Sequence, residues 1–288
     1  MKSKFILKDN FAVAGAIEFI LIIGLIAILL STIQLIYVPE IMEQKEADHM
    51  DEISNQFSRL KAMIDIQSKE KTNIPISNIV TLGSKELPYF VTLPKSGTIS
   101  IIDKDETESE IRISNESSYE TFELTSIKYQ ANNLYFVPQS YIYEAGGIII
   151  KQPEGQSIMW LEPSLNVTPI KNQNGYVTDI DIYFDVPVIF CEYGDSNIGG
   201  LDNYYVQTNY SVELSDDDWN FWSNILSINI STEYPNAWFE FFQSLDKDVK
   251  NNVTISKGLD YVTLEKTSKT INLYYRKSCI FAYVEQGG

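Results

Sequence analysis

The chain is poor in the residue types on which most enzyme sites are built. It has one histidine and two cysteines among 288 residues. The histidine, His49, precedes the β-rich part of the chain, so no Ser-His-Asp or Cys-His pair is expected there. Zinc ligands are too few, no glycine-rich phosphate loop occurs, and no pattern places two carboxylates in one cleft. We therefore expect neither catalysis nor a bound cofactor.

The two cysteines are far apart in the sequence. Cys191 and Cys279 lie in the strand-like segments VIFCEYG and KSCIFAYV. A disulfide between them is a prediction that holds only for an exported domain. Two buried thiols are the alternative.

Positive charge is scarce beyond the first ten residues. Of the formal net charge of −17, residues 1–10 carry +2, residues 11–39 carry −1 and residues 40–288 carry −18. So acidic a region repels nucleic-acid phosphates, and nucleic acid is not an expected partner. A surplus of acidic side chains is typical of a soluble surface domain.

One long segment has no charge at all. From Phe19 to Tyr37 the sequence reads FILIIGLIAILLSTIQLIY, which is nineteen residues. As a helix it would be about 28 Å long and would cross the hydrocarbon core of a bilayer. No small-x-small site follows, so a retained span is predicted rather than a secretory signal. The preceding lysines predict a cytoplasmic N-terminus and a C-terminal part outside the cell.

A single acidic residue, Glu18, directly precedes this apolar run. A carboxylate at a membrane boundary is a functional candidate by default. The segment AVAGAIEFILIIGLIAILL resembles the N-terminal helix of archaeal type IV pilin-like proteins. The resemblance implies that a prepilin-type peptidase removes a leader at Val13, Ala14 or Gly15. It also implies that the helices of identical or related subunits bundle in a filament, with Glu18 facing a neighbour's terminal amine. An uncleaved anchor is the alternative.

Beyond Pro39 an apolar stripe follows heptad spacing. Its members are Met50, Ile53, Phe57, Leu60 and Ile64. The spacing predicts a stalk helix whose stripe either forms a coiled coil or docks on the β-rich region. We expect one helix from Phe11 to about Gln67 with a kink at Pro39.

The rest of the chain reads as short strands separated by turn signals such as PKSG and NQNG. The exception is 232–249, which reads as helix. We predict an α+β protein: a long N-terminal helix followed by an antiparallel β-sandwich-like head with one packed helix. The predicted units are a leader at 1–15, the membrane and stalk helix at 16–72 and the head at 73–288. The stretches YIYEAGGIII and NAWFEFF also resemble segments of uncharacterised archaeal proteins with pilin-type N-termini, and they contain Glu144 and Trp238.

Two kinds of modification or ligand site are predicted in the head. Asp195, Asn197 and Asp202 place oxygen ligands around a glycine turn, as calcium loops do, although Val206 stands where a glutamate is expected. Five asparagines open N-x-Ser/Thr acceptor sequences for glycosylation: Asn115, Asn166, Asn209, Asn229 and Asn252. Among these, Asn115 and Asn252 are favoured because polar residues surround them.

The functional expectation is a membrane-anchored cell-surface protein whose expected partner is the lipid bilayer. The pilin resemblance makes it a minor, tip or structural subunit of an archaeal filament. The alternative is a monomeric, membrane-tethered envelope or adhesion protein that forms no filament.

Overall fold

A computed structural model describes residues 4–84, 96–103, 108–191 and 196–286, with side-chain burial from residue 13 onward. The predicted strand at 89–93 lies outside these ranges. The chain has α+β architecture, with a long N-terminal helix followed by a mostly β head. The helices are α1 (Lys4–Thr32), α2 (Val38–Glu70), α3 (Pro235–Ser244) and α4 (Lys247–Lys250).

The first two helices form one continuous rod. They are joined by a π-helical turn, Ile33–Tyr37, in which the Val38 N–H donates to Ile33 O. The wide turn lies just before Pro39, which has no N–H to donate to Leu35 O. A kink was predicted at Pro39, and the structure has a change of helix type just before it. The rod ends at Lys71, whose φ of 49° is left-handed.

Seventeen strands make up the described part of the head. In chain order they are β1 (Ile76–Thr81), β2 (Gly97–Ile102), β3 (Glu110–Ser114), β4 (Tyr119–Glu123), β5 (Ser126–Ala131), β6 (Ser140–Glu144), β7 (Gly147–Lys151), β8 (Ile158–Leu161), β9 (Leu165–Lys171), β10 (Val177–Phe190), β11 (Asn197–Gly200), β12 (Asn203–Tyr210), β13 (Asn220–Trp222), β14 (Ser227–Ser231), β15 (Val253–Lys257), β16 (Tyr261–Lys266) and β17 (Thr270–Gln286).

The strands form three sheets. The first has the order β1-β12-β17-β10-β9 with β13 also on β17, the second β11-β2-β5-β6-β7-β8, and the third β15-β16-β14-β3-β4. Every ladder between described strands is antiparallel except β10 with β17, which pair in parallel over twelve residues. That central pair departs from the all-antiparallel prediction. The segment between these strands supplies the crossover that parallel pairing requires.

The first sheet has a separate hydrophobic core on each face. On β17, Ile271 and Leu273 belong to one core, whereas Ile280 and Ala282 belong to the other. Because side chains alternate along a strand, odd-numbered and even-numbered positions of β17 face opposite ways. We call the core around Ile271 the α3 core, since it also takes Trp238 and Phe242 of α3. The core around Ile280 takes α2 and is called the α2 core.

Candidate functional site

From Val13 to Thr32, helix α1 is almost entirely apolar, and its side chains are exposed rather than covered by the head. Phe19, Leu21 and Leu25 are 64%, 68% and 59% exposed. One window of eighteen residues has mean hydropathy 2.8 and is 0% buried, and the helix is long and apolar enough to cross a membrane. A helix of this kind needs lipid or other apolar helices around it. Glu18 and the predicted cleavage positions Val13, Ala14 and Gly15 are all exposed on it.

Helix α2 has one apolar face, and that face is docked on the head. The five members of the predicted stripe are each 2% exposed or less. They lie in the α2 core against the second sheet and the far end of β17. The ring centroid of Phe57 is 6.0 Å from that of Tyr141. Of the two uses predicted for the stripe, docking is therefore the one realised.

A buried carboxylate attaches the N-terminal half of α2 to the head. Glu46 is 0% exposed and accepts the backbone N–H groups of Leu134, Tyr135 and Phe136. The three N···O distances to its Oε2 are 3.0, 2.8 and 2.8 Å. A carboxylate held by three successive N–H groups makes strong, charge-assisted bonds. These three hydrogen bonds therefore fix the angle between the rod and the head. We call them the clamp on α2.

Polar side chains of α2 also tie it to the first sheet. Nε2 of His49 lies 2.8 Å from Thr81 O, and Oε1 of Gln56 accepts the Thr81 N–H at 2.9 Å. Asn78 Nδ2 donates to Gln56 O at 3.0 Å. His49, placed by the sequence in a stalk remote from the head, is therefore 7% exposed beneath β1.

One opening of the head lies between the second and third sheets. It is a cleft of about 580 Å³. Its carboxylates are Glu108, Glu144, Glu233 and Asp260, and its lining also includes Ser126. Such a volume falls within the usual range of small-ligand sites. We call it the acidic cleft.

Glu144 forms the buried end of the acidic cleft. It is 3% exposed, and its Oε1 accepts from Trp238 Nε1 at 2.7 Å and from Thr232 Oγ1 at 2.9 Å. Burial raises the pKa of Glu144 to about 7, and the nearby charge of Glu233 adds to this, while the two hydrogen bonds oppose it. Both protonation states are therefore populated near neutral pH, so this carboxyl can exchange a proton or bind a cation.

The calcium prediction is not assembled into a site within the described residues. Asp195 lies outside them. Asn197 is exposed on β11, and Asp202 is exposed in the turn before β12, where its carbonyl accepts the Leu82 N–H. Among the residues the structure describes, no three His, Cys, Asp or Glu side chains are grouped closely enough to hold a metal.

The five acceptor asparagines occupy different environments. Asn115 is in the turn after β3, where its Oδ1 accepts the Ser117 and Ser118 N–H groups. Asn166 is exposed on the edge strand β9. By contrast, Asn252 Nδ2 donates to Asp248 O at 2.7 Å, and Asn209 and Asn229 are half-buried within sheets. Since the amide nitrogen is the atom that takes the glycan, Asn115 and Asn166 are the better placed acceptors.

The structure does not join the two cysteines. Cys279 is buried in β17, level with Val188, and donates its Sγ–H to Leu214 O. Cys191 follows β10, three positions beyond Val188. Three residues of strand separate the two levels by about 10 Å, more than a disulfide can span. Of the two buried thiols that were the alternative, Cys279 is buried and Cys191 is half-buried, and burial raises the pKa of the Cys279 thiol to about 11.

With this geometry established, comparison with known proteins adds no relative. The chain matches no protein-family model, no curated protein and no solved structure at a significant level.

Sequence reasoning did not assign a role to Glu46 or Glu144. Glu46 follows Met42 by one helical turn and precedes Met50 by another, so it lies on the apolar stripe. Glu144 follows a run of apolar and aromatic residues in β6, all of them buried. A carboxylate on an otherwise buried face was the signal in both places, but its partners are distant in sequence.

Proposed function

We propose that this chain is a single-pass, membrane-anchored surface protein that serves as a type IV pilin-like subunit of an archaeal filament. The N-terminus lies in the cytoplasm and the acidic head outside. A prepilin-type peptidase removes the leader, and the α1 helices of identical or related subunits then bundle. The observation that carries the proposal is the rod: one unbroken helix, bare and apolar over α1 and firmly docked over α2.

The docking separates this proposal from a plain tether. A tether needs only a flexible linker between membrane and head. Here α2 has twelve buried residues, and Glu46 fixes its direction relative to the head. A fixed direction supports an assembly in which packing of α1 helices places every head in the same orientation. We also propose that the head is sandwich-like and that α3 packs in its core.

N-terminal sequencing of the mature protein tests the leader. We expect the chain to begin after Val13 or after Gly15. An intact Met1 or Lys2 would contradict processing and with it the filament proposal.

A matched pair of substitutions tests assembly. Glu18→Ala should abolish filaments while the protein remains in the membrane fraction, because only contact between subunits is lost. Glu40→Ala, which removes an exposed carboxylate of α2 outside the apolar run, should leave both insertion and filaments intact. Normal filaments from the Glu18 variant would remove this residue from the mechanism.

The second candidate is a monomeric, membrane-tethered binding or adhesion protein. The observation in its favour is the acidic cleft, since a binding head needs a recess and a purely structural one does not. It predicts an uncleaved chain that detergent extracts as a monomer. Glycosylation at Asn115 or Asn166 would establish an external head for either candidate.

A further inference from the structure

We propose that the acidic cleft is a binding site for organic ammonium groups, either a free polyamine or a lysine side chain presented by a peptide. This role is separate from the filament proposal, because none of the residues involved belongs to α1 or α2. It rests on the shape of the cleft, on its charge and on one open carboxylate oxygen.

The charge of the cleft is strongly unbalanced. Glu108, Glu144, Glu233 and Asp260 line it. Among the described residues, a recorded ion pair joins one of these carboxylates to Lys128, whose Nζ is 3.8 Å from Glu233 Oε2. The same ammonium lies 6.0 Å from the centre of the Tyr234 ring. The Lys128 ammonium at the rim is thus an example of the kind of group that the cleft attracts.

The carboxylates are too dispersed to share a metal ion. No group of three His, Cys, Asp or Glu suited to a metal occurs among the described residues, those of the cleft included. Ca²⁺ requires six to eight oxygens around one point. Carboxylates spread over a cleft of about 580 Å³ instead match a ligand whose positive charges are themselves separated, as in a polyamine.

Glu144 provides the specific contact at the buried end. Both of its hydrogen bonds to described residues end on Oε1, from Trp238 and Thr232. No hydrogen bond between Oε2 and a described residue is recorded, and the residue as a whole is 3% exposed. Trp238 and Thr232 therefore hold the carboxylate so that its other oxygen is left for a ligand.

Hydroxyl groups complete the recognition of an ammonium. An ammonium group has three N–H donors and no acceptor. Ser126 and Ser231 line the cleft beside the carboxylates and offer neutral oxygen acceptors. One N–H can bond to Glu144 Oε2 while the others bond to hydroxyls, with the rim carboxylates attracting a second charged nitrogen.

Calorimetric titration of the full chain in detergent micelles tests the proposal. The probes are spermidine and N-acetyl-lysine methylamide, with Mg²⁺ at matched ionic strength as the control ion. Binding of spermidine alone identifies a free polyamine as the ligand, and binding of both probes identifies the ammonium group itself. If Mg²⁺ displaces the amines as well as they displace each other, the attraction is only that of an acidic surface and the proposal is overturned.

Variants locate the binding. Glu144→Gln should weaken spermidine about tenfold, the order expected for the loss of a charge-assisted hydrogen bond. Glu233→Gln, at a side chain 67% exposed and so harmless to folding, should weaken it about twofold. Lys128→Gln removes the competing ammonium and should strengthen binding about twofold. An increase in the affinity for spermidine caused by Lys128→Gln cannot arise from misfolding of the variant.

The matched control is Glu213→Gln, which makes the same change of charge at an exposed site after β12. It should leave the affinity unchanged. Equal affinities in the Glu144, Glu233 and Glu213 variants would overturn the proposal, as would the absence of any amine binding by the wild-type chain. Neither result would bear on leader cleavage or filament assembly.

Discussion

The two halves of the N-terminal rod have the same backbone and opposite surroundings. In α1 the large apolar side chains from Val13 onward are exposed, whereas in α2 the stripe from Met50 to Ile64 is buried and Ile41 and Ile66 stay exposed. Their acidic residues differ in the same way: Glu18 is exposed, and Glu46 is enclosed by three N–H groups. The distribution of apolar residues around a helix, more than its helicity, therefore decides which environment it requires.

The same substitution made in both halves gives the largest expected contrast. Phe57→Ala should lower the free energy of unfolding of the head by about 3–5 kcal/mol, because it leaves a cavity in the α2 core. Phe19→Ala removes the same atoms from a side chain that is 64% exposed and should leave that free energy unchanged. Denaturant unfolding in micelles, followed by tryptophan fluorescence, measures both. Equal effects would mean that α2 is not docked in solution.

The head contains a second buried carboxylate, Glu144, and burial raises the pKa of Glu144 from 4.5 to about 7. For Glu144 the unfolded chain releases its proton first as the pH rises, so the folded state binds the extra proton between these values. Its contribution to stability therefore falls by roughly 3 kcal/mol between about pH 4 and about pH 8.

Glu144→Gln keeps the shape and cannot ionise. The free energy of unfolding of the wild type minus that of this variant should therefore decrease across the same pH range. Unfolding curves of both proteins at each pH give the difference, in which other titrating groups cancel. A difference that does not change with pH would show that Glu144 titrates normally in the folded protein.

The clamp on α2 can be broken without creating a cavity. Glu46→Gln should cost about 2 kcal/mol, since an amide accepts the three N–H groups more weakly than a carboxylate and brings its own N–H donors against them. Hydrogen exchange at the amides of residues 134–136 should also become faster. Glu43→Gln, on the exposed side of the same helix, is the control and should change neither quantity.

The smallest expected effect on the free energy of unfolding comes from losing a hydrogen bond between two uncharged groups. Gln56→Ala leaves the Thr81 N–H without its acceptor and should cost about 1 kcal/mol. Gln44→Ala, which loses only a bond to Asp48 one turn away on the exposed surface, should cost less than half of that. If the two costs are equal, the polar contacts of α2 contribute nothing beyond its helical propensity.

Part of this organisation was visible in the sequence. The uncharged run and the stripe from Met50 to Ile64 predicted a membrane-type helix and an amphipathic one, since both signals are local and periodic. The predicted β-rich region does consist mostly of strands, and the segment 232–249, predicted as one helix, contains α3 and most of the short helix α4. The turn type before Pro39 was not predicted, because a proline only removes one donor and leaves the local response open.

What the sequence could not show depends on distant partners. Asp185 and Arg276 form an ion pair because β10 and β17 are parallel, yet ninety-one positions separate them. The donors to Glu46 are 88 to 90 positions away. The acidic cleft likewise brings together residues of two sheets. A periodic sequence pattern does not predict such contacts, because they form only when the whole topology is in place.

The α2 core has a consequence for the order of events during synthesis. Its first members, from Met50 onward, leave the ribosome early, but they pack against Ile280, Ala282 and Val284 near the end of the chain. The stripe of α2 therefore stays uncovered until nearly the whole chain has been made. Contacts between residues so remote in sequence form slowly, and apolar surface that favours aggregation stays exposed until they form. A nascent chain of this kind should depend on a chaperone until its last strand arrives.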